Sequence, residues 1–154
     1  MGISVVKVYS FGQGRFMANT IGDEYTSEQV ARIIVDAAIG KKAIAPVIID
    51  VRGACDYADF LVVCSGKTDR QVNAIATGID GEVIDLRSCV SNEGLANGQW
   101  ALLDYGDIVV HIFSGSKRNE YNIEGLWKDA PRLEVYVPPD LRLTDELYDD
   151  TELN

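Results

Sequence analysis

The sequence contains few of the residues that build metal sites and disulfide frameworks. Among 154 residues there are one histidine, His111, and three cysteines, Cys55, Cys64 and Cys89. No two of these four residues have the short spacing of zinc-finger ligands, and an odd number of cysteines without a C-x-x-C pair does not make a disulfide framework. We therefore expect reduced thiols, as in the cytoplasm, and no metal site.

Basic residues and long apolar runs are also scarce. Lysine and arginine together number 14 against 24 acids, which gives a formal net charge of −10. Because nucleic-acid phosphates are bound by clustered Lys and Arg, this deficit argues against broad non-specific contact with nucleic acid and allows a basic protein partner. We also expect no sequence-specific binding of nucleic acid. No apolar run approaches the ~20 residues that span a bilayer, and no secretory signal is recognisable. We expect a soluble protein that contacts no membrane, cytoplasmic rather than organellar.

Composition divides the chain into three parts. Residues 1–25 contain no acid before Asp23, and Gly12 and Gly14 break this segment, so we expect a flexible or extended N-terminal extension. Residues 26–139 have the mixed composition of one globular domain. Residues 140–154 contain six acids and one base, which predicts a disordered acidic tail.

Two helices and several strands can be predicted within the domain. Thr26 with Gln29, and Thr68 with Gln71, have the spacing of capping boxes, and each pair precedes apolar residues with helical periodicity. Short apolar or alternating runs predict strands at residues 47–51, 59–64, 100–105, 108–113 and 133–137, and a short helix is expected within 117–127. This order predicts a single α/β domain in which helices pack on a mixed β-sheet.

Two motifs suggest a nucleotide-handling enzyme, but each is incomplete. Ser65-Gly66-Lys67-Thr68 matches the end of a phosphate-binding P-loop, yet its first glycine is replaced by Leu61. The paired strand carboxylates of a nucleotidyltransferase are missing as well, because no D-x-D sequence stands on a predicted strand. We predict no catalytic residues. Nucleotide binding at the helix N-terminus formed by residues 65–69 remains the alternative.

The predicted hairpin has two different faces. If Gly106 and Asp107 form its turn, one face is apolar throughout and belongs to the core. It pairs Tyr105 with Ile108, Leu103 with Val110, and Ala101 with Ile112. The other face places Trp100, Leu102 and Asp104 opposite Phe113, His111 and Val109. This second face is either covered by a helix or forms a protein-binding surface with aromatic anchors and a charged rim.

Three segments of the chain resemble the ribosomal silencing factor family, also called RsfS, iojap-like or YbeB. The first is residues 56–72, which read DYADFLVVCSGKTDRQV. The second is Glu93-Gly94 followed by residues 98–113, which read GQWALLDYGDIVVHIF. The third contains Arg118, Tyr121, EGLW at 124–127 and DAP at 129–131. The segments occur in the family's order, at about its spacing, and cover roughly residues 26–137.

The resemblance implies a fold similar to that of nucleotidyltransferases but without their catalytic carboxylates, and a protein that is not an enzyme and needs no cofactor. It implies binding to the large ribosomal subunit through ribosomal protein fourteen, which blocks joining of the small subunit and represses translation under nutrient limitation. Organellar relatives act instead in large-subunit assembly, and the free protein could form a homodimer. Carried onto matching positions, the expected contact residues are Trp100, Leu102, Asp104, Tyr105, Asp107, Asp69 and Arg70.

Overall fold

The computed structural model describes residues 6–11, 15–20 and 25–143. Its strands are β1 (Val6–Phe11), β2 (Arg15–Thr20), β3 (Ile44–Asp50), β4 (Phe60–Gly66), β5 (Ser91–Glu93), β6 (Trp100–Asp104), β7 (Ile108–Ser114) and β8 (Arg132–Leu133). Its α-helices are α1 (Ser27–Gly40), α2 (Asp69–Val83), α3 (Lys117–Tyr121) and α4 (Ile123–Leu126), and a 3-10 turn spans Pro139–Leu141. No helix in these described ranges is long and apolar enough to cross a membrane.

The two long helices begin at the predicted caps. At α1 the capping box is complete, since Thr26 Oγ1 accepts from the Gln29 amide and Gln29 Oε1 accepts from the Thr26 amide. At α2 only half of the predicted box forms. Thr68 Oγ1 accepts from the Gln71 amide, but Gln71 Oε1 accepts from the amide of Lys67. Because Gln71 Nε2 donates to two carbonyls just after α1, its side chain links the helices instead of completing the box.

Strands β3 to β8 form a mixed six-stranded sheet in the order β5-β6-β7-β4-β3-β8, as the predicted fold class requires. The pairing of β4 with β7 is parallel, and the other neighbours are antiparallel. Strand β4 lies inside the sheet with every residue buried, which explains its unbroken apolar run. The hairpin of β6 and β7 has the predicted register, with Leu102 opposite His111 and Leu103 opposite Val110.

The sheet packs on both faces. Helices α1 and α2 cover one face and form the larger core with the inner side of the hairpin, including Ala101, Leu103 and Val110. On the opposite face a smaller core contains Leu61, Val63, Val109 and Phe113 together with half-buried side chains from α4 and the residues after it. This second layer decides how much of the outer side of the hairpin reaches solvent.

Several predicted boundaries are wrong, and each has a local cause. Strand β3 begins at Ile44 rather than at residue 47, because a bulge with Ala45 at φ 48° carries the chain past Pro46. The helix expected within 117–127 is interrupted at Asn122, which adopts the left-handed conformation and separates α3 from α4. Strand β8 is two residues long, and β5 was not predicted because its three residues are polar and exposed.

The ends of the domain also differ from the sequence-based division. Strands β1 and β2 pair in antiparallel register as a separate two-stranded sheet inside the segment assigned to the N-terminal extension. At the other end, the packed chain continues beyond Pro139, because Leu141 is buried and Arg142 Nε donates to the Val137 carbonyl. The predicted acidic tail therefore starts too early at residue 140. Residues 144–154 lie outside the described part of the chain.

Candidate functional site

The outer side of β6 carries three of the predicted contact residues. Trp100, Leu102 and Asp104 alternate with the buried Ala101 and Leu103, and all three are half-buried. Alternation along the strand therefore places their side chains on the face opposite the helices α1 and α2. Their partners on β7 are buried, so this face is partly covered and partly exposed to solvent.

An aromatic cluster joins this strand to α3. The Trp100 ring stacks on Phe113 at a centroid distance of 5.3 Å and contacts Tyr121 at 4.4 Å. Phe113 is fully buried beneath this pair, whereas Tyr121 exposes 47% of its surface and Leu126 of α4 exposes 75%. The α3–α4 segment thus covers Phe113, as the first interpretation expects, and leaves an apolar, partly aromatic surface above it. That this surface binds a protein stays a prediction.

His111 fixes the orientation of the Trp100 ring. The indole Nε1 donates to His111 Nδ1 over 3.1 Å, so His111 must accept through that nitrogen and carry its proton on Nε2. His111 is 6% exposed, and burial lowers its pKa from 6.5 to about 4. A protonated His111 could not accept the indole N–H, and the neutral ring is therefore the form that holds Trp100.

Near the turn of the hairpin, the predicted contact residues Asp104 and Tyr105 lie on different faces of the sheet. Asp104 accepts from the Gly106 amide and so closes the turn, where Gly106 has φ 92°. Tyr105 belongs to the inner face, is 3% exposed and donates its hydroxyl to Asp80. The contact role predicted for Tyr105 is not supported by this geometry, because the hairpin would have to open before a partner could reach it.

Asp107 is held within the protein. It accepts from Arg87 Nε and Nη2 at 3.1–3.2 Å and from Ser27 Oγ at 2.7 Å, and the same Ser27 hydroxyl lies 2.9 Å from Asp59. Burial opposes its ionised form, but the hydrogen bonds from Arg87 and Ser27 outweigh this effect and lower the pKa of Asp107. Asp107 thus ties the hairpin to the start of α1.

The two weaker candidates, Asp69 and Arg70, are exposed in the first turn of α2. Asp69 is in close contact with Gly98, which lies two residues before β6 begins. A Cβ built on Gly98 would lie 2.6 Å from the Asp69 Cβ. Gly98 also has φ 74°, so a close approach and a left-handed backbone both require glycine there. Asp69 is therefore near the start of the strand that carries Trp100.

An ion pair between the buried Arg118 and the partly exposed Glu124 lies within the α3–α4 segment, and the sequence alone assigns it no role. Arg118 is 5% exposed, and its Nε and Nη2 donate to the two carboxylate oxygens of Glu124 at 2.7 and 3.1 Å. The remaining nitrogen, Nη1, lies within 3.4 Å of Ser65 Oγ and of the Ile44 carbonyl. Arg118 and Glu124 both belong to the third segment that resembles the family, but their contact is visible only in the folded structure.

The loop before α2 contains the P-loop-like motif Ser65-Gly66-Lys67-Thr68, and several of its polar groups are bonded within the protein. Ser65 is buried against Arg118, the Gly66 carbonyl accepts from Gly115, and the Lys67 amide donates to Gln71. These groups are engaged with the protein itself, so the loop does not present a phosphate cradle. Within residues 25–143 and the two N-terminal strands, no group of three or more His, Cys, Asp or Glu side chains could hold a metal ion.

Comparison with known proteins identifies the family. Residues 24–151 match the family model described as "Ribosomal silencing factor during starvation". The chain belongs to the ribosomal silencing factor family. The match extends past residue 139, so part of the segment assigned to the acidic tail lies inside the family region.

Relatives and solved structures agree with this membership. The ribosomal silencing factor of Bacillus subtilis is 36% identical over 68% of this chain and 89% of its own. A mitochondrial Iojap-related protein of Arabidopsis thaliana is 27% identical over 77% of this chain and 64% of its own. A crystal structure from Chromobacterium violaceum superposes with a TM-score of 0.66 at 25% identity, covering 74% of this chain and 95% of that one. One from Bacillus halodurans gives 0.60 at 34% identity, covering 70% and 96%.

Proposed function

We propose that this protein binds the large ribosomal subunit through ribosomal protein fourteen and thereby prevents joining of the small subunit. The surface that carries the proposal is the outer side of β6 together with α3 and α4. There Trp100 and Tyr121 are in contact, Leu126 is exposed, and Asp104 lies at the end of the strand. Partly exposed aromatic side chains backed by a firm core are the usual anchors of protein interfaces.

The contacts around Trp100 hold its side chain in one position before any partner binds. Trp100 is held from below by stacking on Phe113 and from the side by its hydrogen bond to His111. A side chain that is already fixed loses little conformational entropy when a partner covers it, so more of its contact energy appears as affinity. Trp100 and Tyr121 are therefore the residues we expect to contribute most to binding.

Charge supports the same choice of partner. The chain carries a formal charge of −10, and ribosomal proteins that contact RNA are rich in lysine and arginine. Opposite net charges mainly accelerate association and fix its orientation, whereas the aromatic contacts provide most of the affinity. Repression then requires only occupancy of the face where the small subunit docks, in the cytoplasm and under nutrient limitation, and no catalytic step.

The proposal can be tested by co-sedimentation with purified large subunits and by binding to isolated ribosomal protein fourteen. The wild-type protein should bind both, and Asp104→Lys should bind both more weakly because it places a positive charge against a basic partner. Glu82→Lys is the matched control, since it makes the same charge change on exposed α2, across the sheet. Failure of the wild type to bind the subunit, or equal weakening by the two variants, would contradict this assignment.

A further inference from the structure

The side chains of the proposed docking surface come from two separate parts of the chain. Trp100 stands on β6, whereas Tyr121 and Leu126 belong to α3 and α4, which are only five and four residues long. Helices this short have little stability of their own, since most of their backbone groups belong to helix ends. Something else must hold Tyr121 against Trp100.

The forked hydrogen bonds between Arg118 and Glu124 are placed to do this. Arg118 lies in α3 and Glu124 in α4, so their two hydrogen bonds close the chain across the left-handed turn at Asn122. Asn122 reinforces that turn, because its Oδ1 accepts from the Gly125 amide. The exposed Tyr121 lies inside this closed segment, and Leu126 lies two residues beyond it.

The same arginine anchors the closed segment to the sheet. Its Nη1 reaches Ser65 Oγ at 3.3 Å and the Ile44 carbonyl at 3.4 Å, at the ends of two neighbouring strands. On the other side, Arg132 of β8 lies 3.5 Å from Glu124. The carboxylate therefore has a buried and a partly exposed cation, and together they lower its pKa against the opposing effect of burial.

Burying the charge of Arg118 costs desolvation energy, even though Glu124 remains partly exposed. Apolar side chains of similar volume often stabilise a fold as well or better, and the best-attested reason to retain such a pair is that it fixes one arrangement. The planar guanidinium suits this purpose, because it binds both carboxylate oxygens in a single orientation that a lysine cannot reproduce.

We propose that Arg118 and Glu124 are positioning residues for ribosome docking, which hold Tyr121 and Leu126 in register with Trp100. This inference rests on the proposed binding to the large subunit. Neither residue needs to touch the partner. Their effect on affinity is transmitted through the placement of the α3–α4 segment.

The test compares stability and subunit affinity in variants of the full chain. Arg118→Lys keeps the buried charge but cannot form the fork, and we expect it to stay folded and bind large subunits about tenfold more weakly. Glu124→Gln should weaken binding at least as much. Glu28→Gln is the control, because it breaks an exposed ion pair with Arg32 on α1, on the other face of the sheet, and should bind normally.

Two further variants separate positioning from simple destabilisation. Leu103→Ala damages the core on the other side of the sheet, so at a temperature where it is fully folded it should bind with wild-type affinity despite a lower melting temperature. Trp100→Ala should lose binding directly. Wild-type affinity in Arg118→Lys, or a loss in Leu103→Ala as large as that in Arg118→Lys, would overturn the inference while leaving the proposed function intact. Absence of binding by the wild type would refute both.

Discussion

Replacing His111 should remove a defined part of the pH dependence of stability. In the folded protein His111 stays neutral because burial lowers its pKa from 6.5 to about 4. In the unfolded chain it regains the ordinary value, so between these two pH values the unfolded state binds a proton that the folded state does not. The free energy of unfolding must therefore fall as the pH decreases from 6.5 to about 4, and this group contributes no further loss below that.

The size of this effect follows from the two pKa values. At about 1.4 kcal/mol per pH unit, a pKa that falls from 6.5 to about 4 corresponds to a total of about 3 kcal/mol. About 2 kcal/mol of this should be lost between pH 7 and about pH 4.5. The depressed pKa values of Asp107 and Glu124 act in a lower range, since their stabilisation is present above the unfolded carboxyl pKa of about 4 and disappears as the pH falls further.

His111→Asn is the informative variant, because an amide oxygen can still accept from the Trp100 indole while the side chain no longer titrates. Urea unfolding followed by tryptophan fluorescence should show the loss of about 2 kcal/mol in the wild type and a nearly flat profile in His111→Asn over the same range. Equal slopes in the two proteins would show that His111 is not held neutral by burial.

Three further predictions concern stability. Leu103→Ala should lower the free energy of unfolding by about 2–5 kcal/mol in urea titration, because Leu103 is buried in the larger core; a change below about 1 kcal/mol would contradict its placement. Gly98→Ala should lower the melting temperature, because its Cβ would meet Asp69 and its φ is 74°; an unchanged or higher value would contradict the close approach. Leu141→Ala should lower the free energy of unfolding by about 2 kcal/mol, because Leu141 is buried; an unchanged melting temperature would contradict its packing.

The sequence predicts well what local chemistry decides. The cap of α1 and the hairpin register follow from side chains only a few residues apart, since Thr26 and Gln29 satisfy each other and the Gly106 turn fixes which residues of β6 and β7 face one another. The α/β class with a mixed sheet follows from the order of these elements.

What the sequence could not predict depends on contacts between distant segments. Gln71 does not complete the predicted capping box, because its Nε2 donates to carbonyls about thirty residues away. Arg118 contacts Ser65 and Ile44, which are brought close to it by the sheet. Tyr105 was assigned to the contact surface from its place in the family motif, although the alternation of β6 already put it on the inner face. Periodicity was the better guide at that position, because it reports burial directly.

The most direct test of the proposed function is a subunit-joining measurement. Purified small and large subunits are mixed with the protein at a Mg²⁺ concentration that favours joining, and whole ribosomes are quantified by sucrose-gradient sedimentation. We predict that the wild-type protein lowers the fraction of whole ribosomes in proportion to its occupancy of the large subunit, and that folded Trp100→Ala, which weakens binding by about 2 kcal/mol or more, does so only at much higher concentration. If the wild type binds the large subunit without reducing joining, or if Trp100→Ala blocks joining equally well, the proposed mechanism is contradicted.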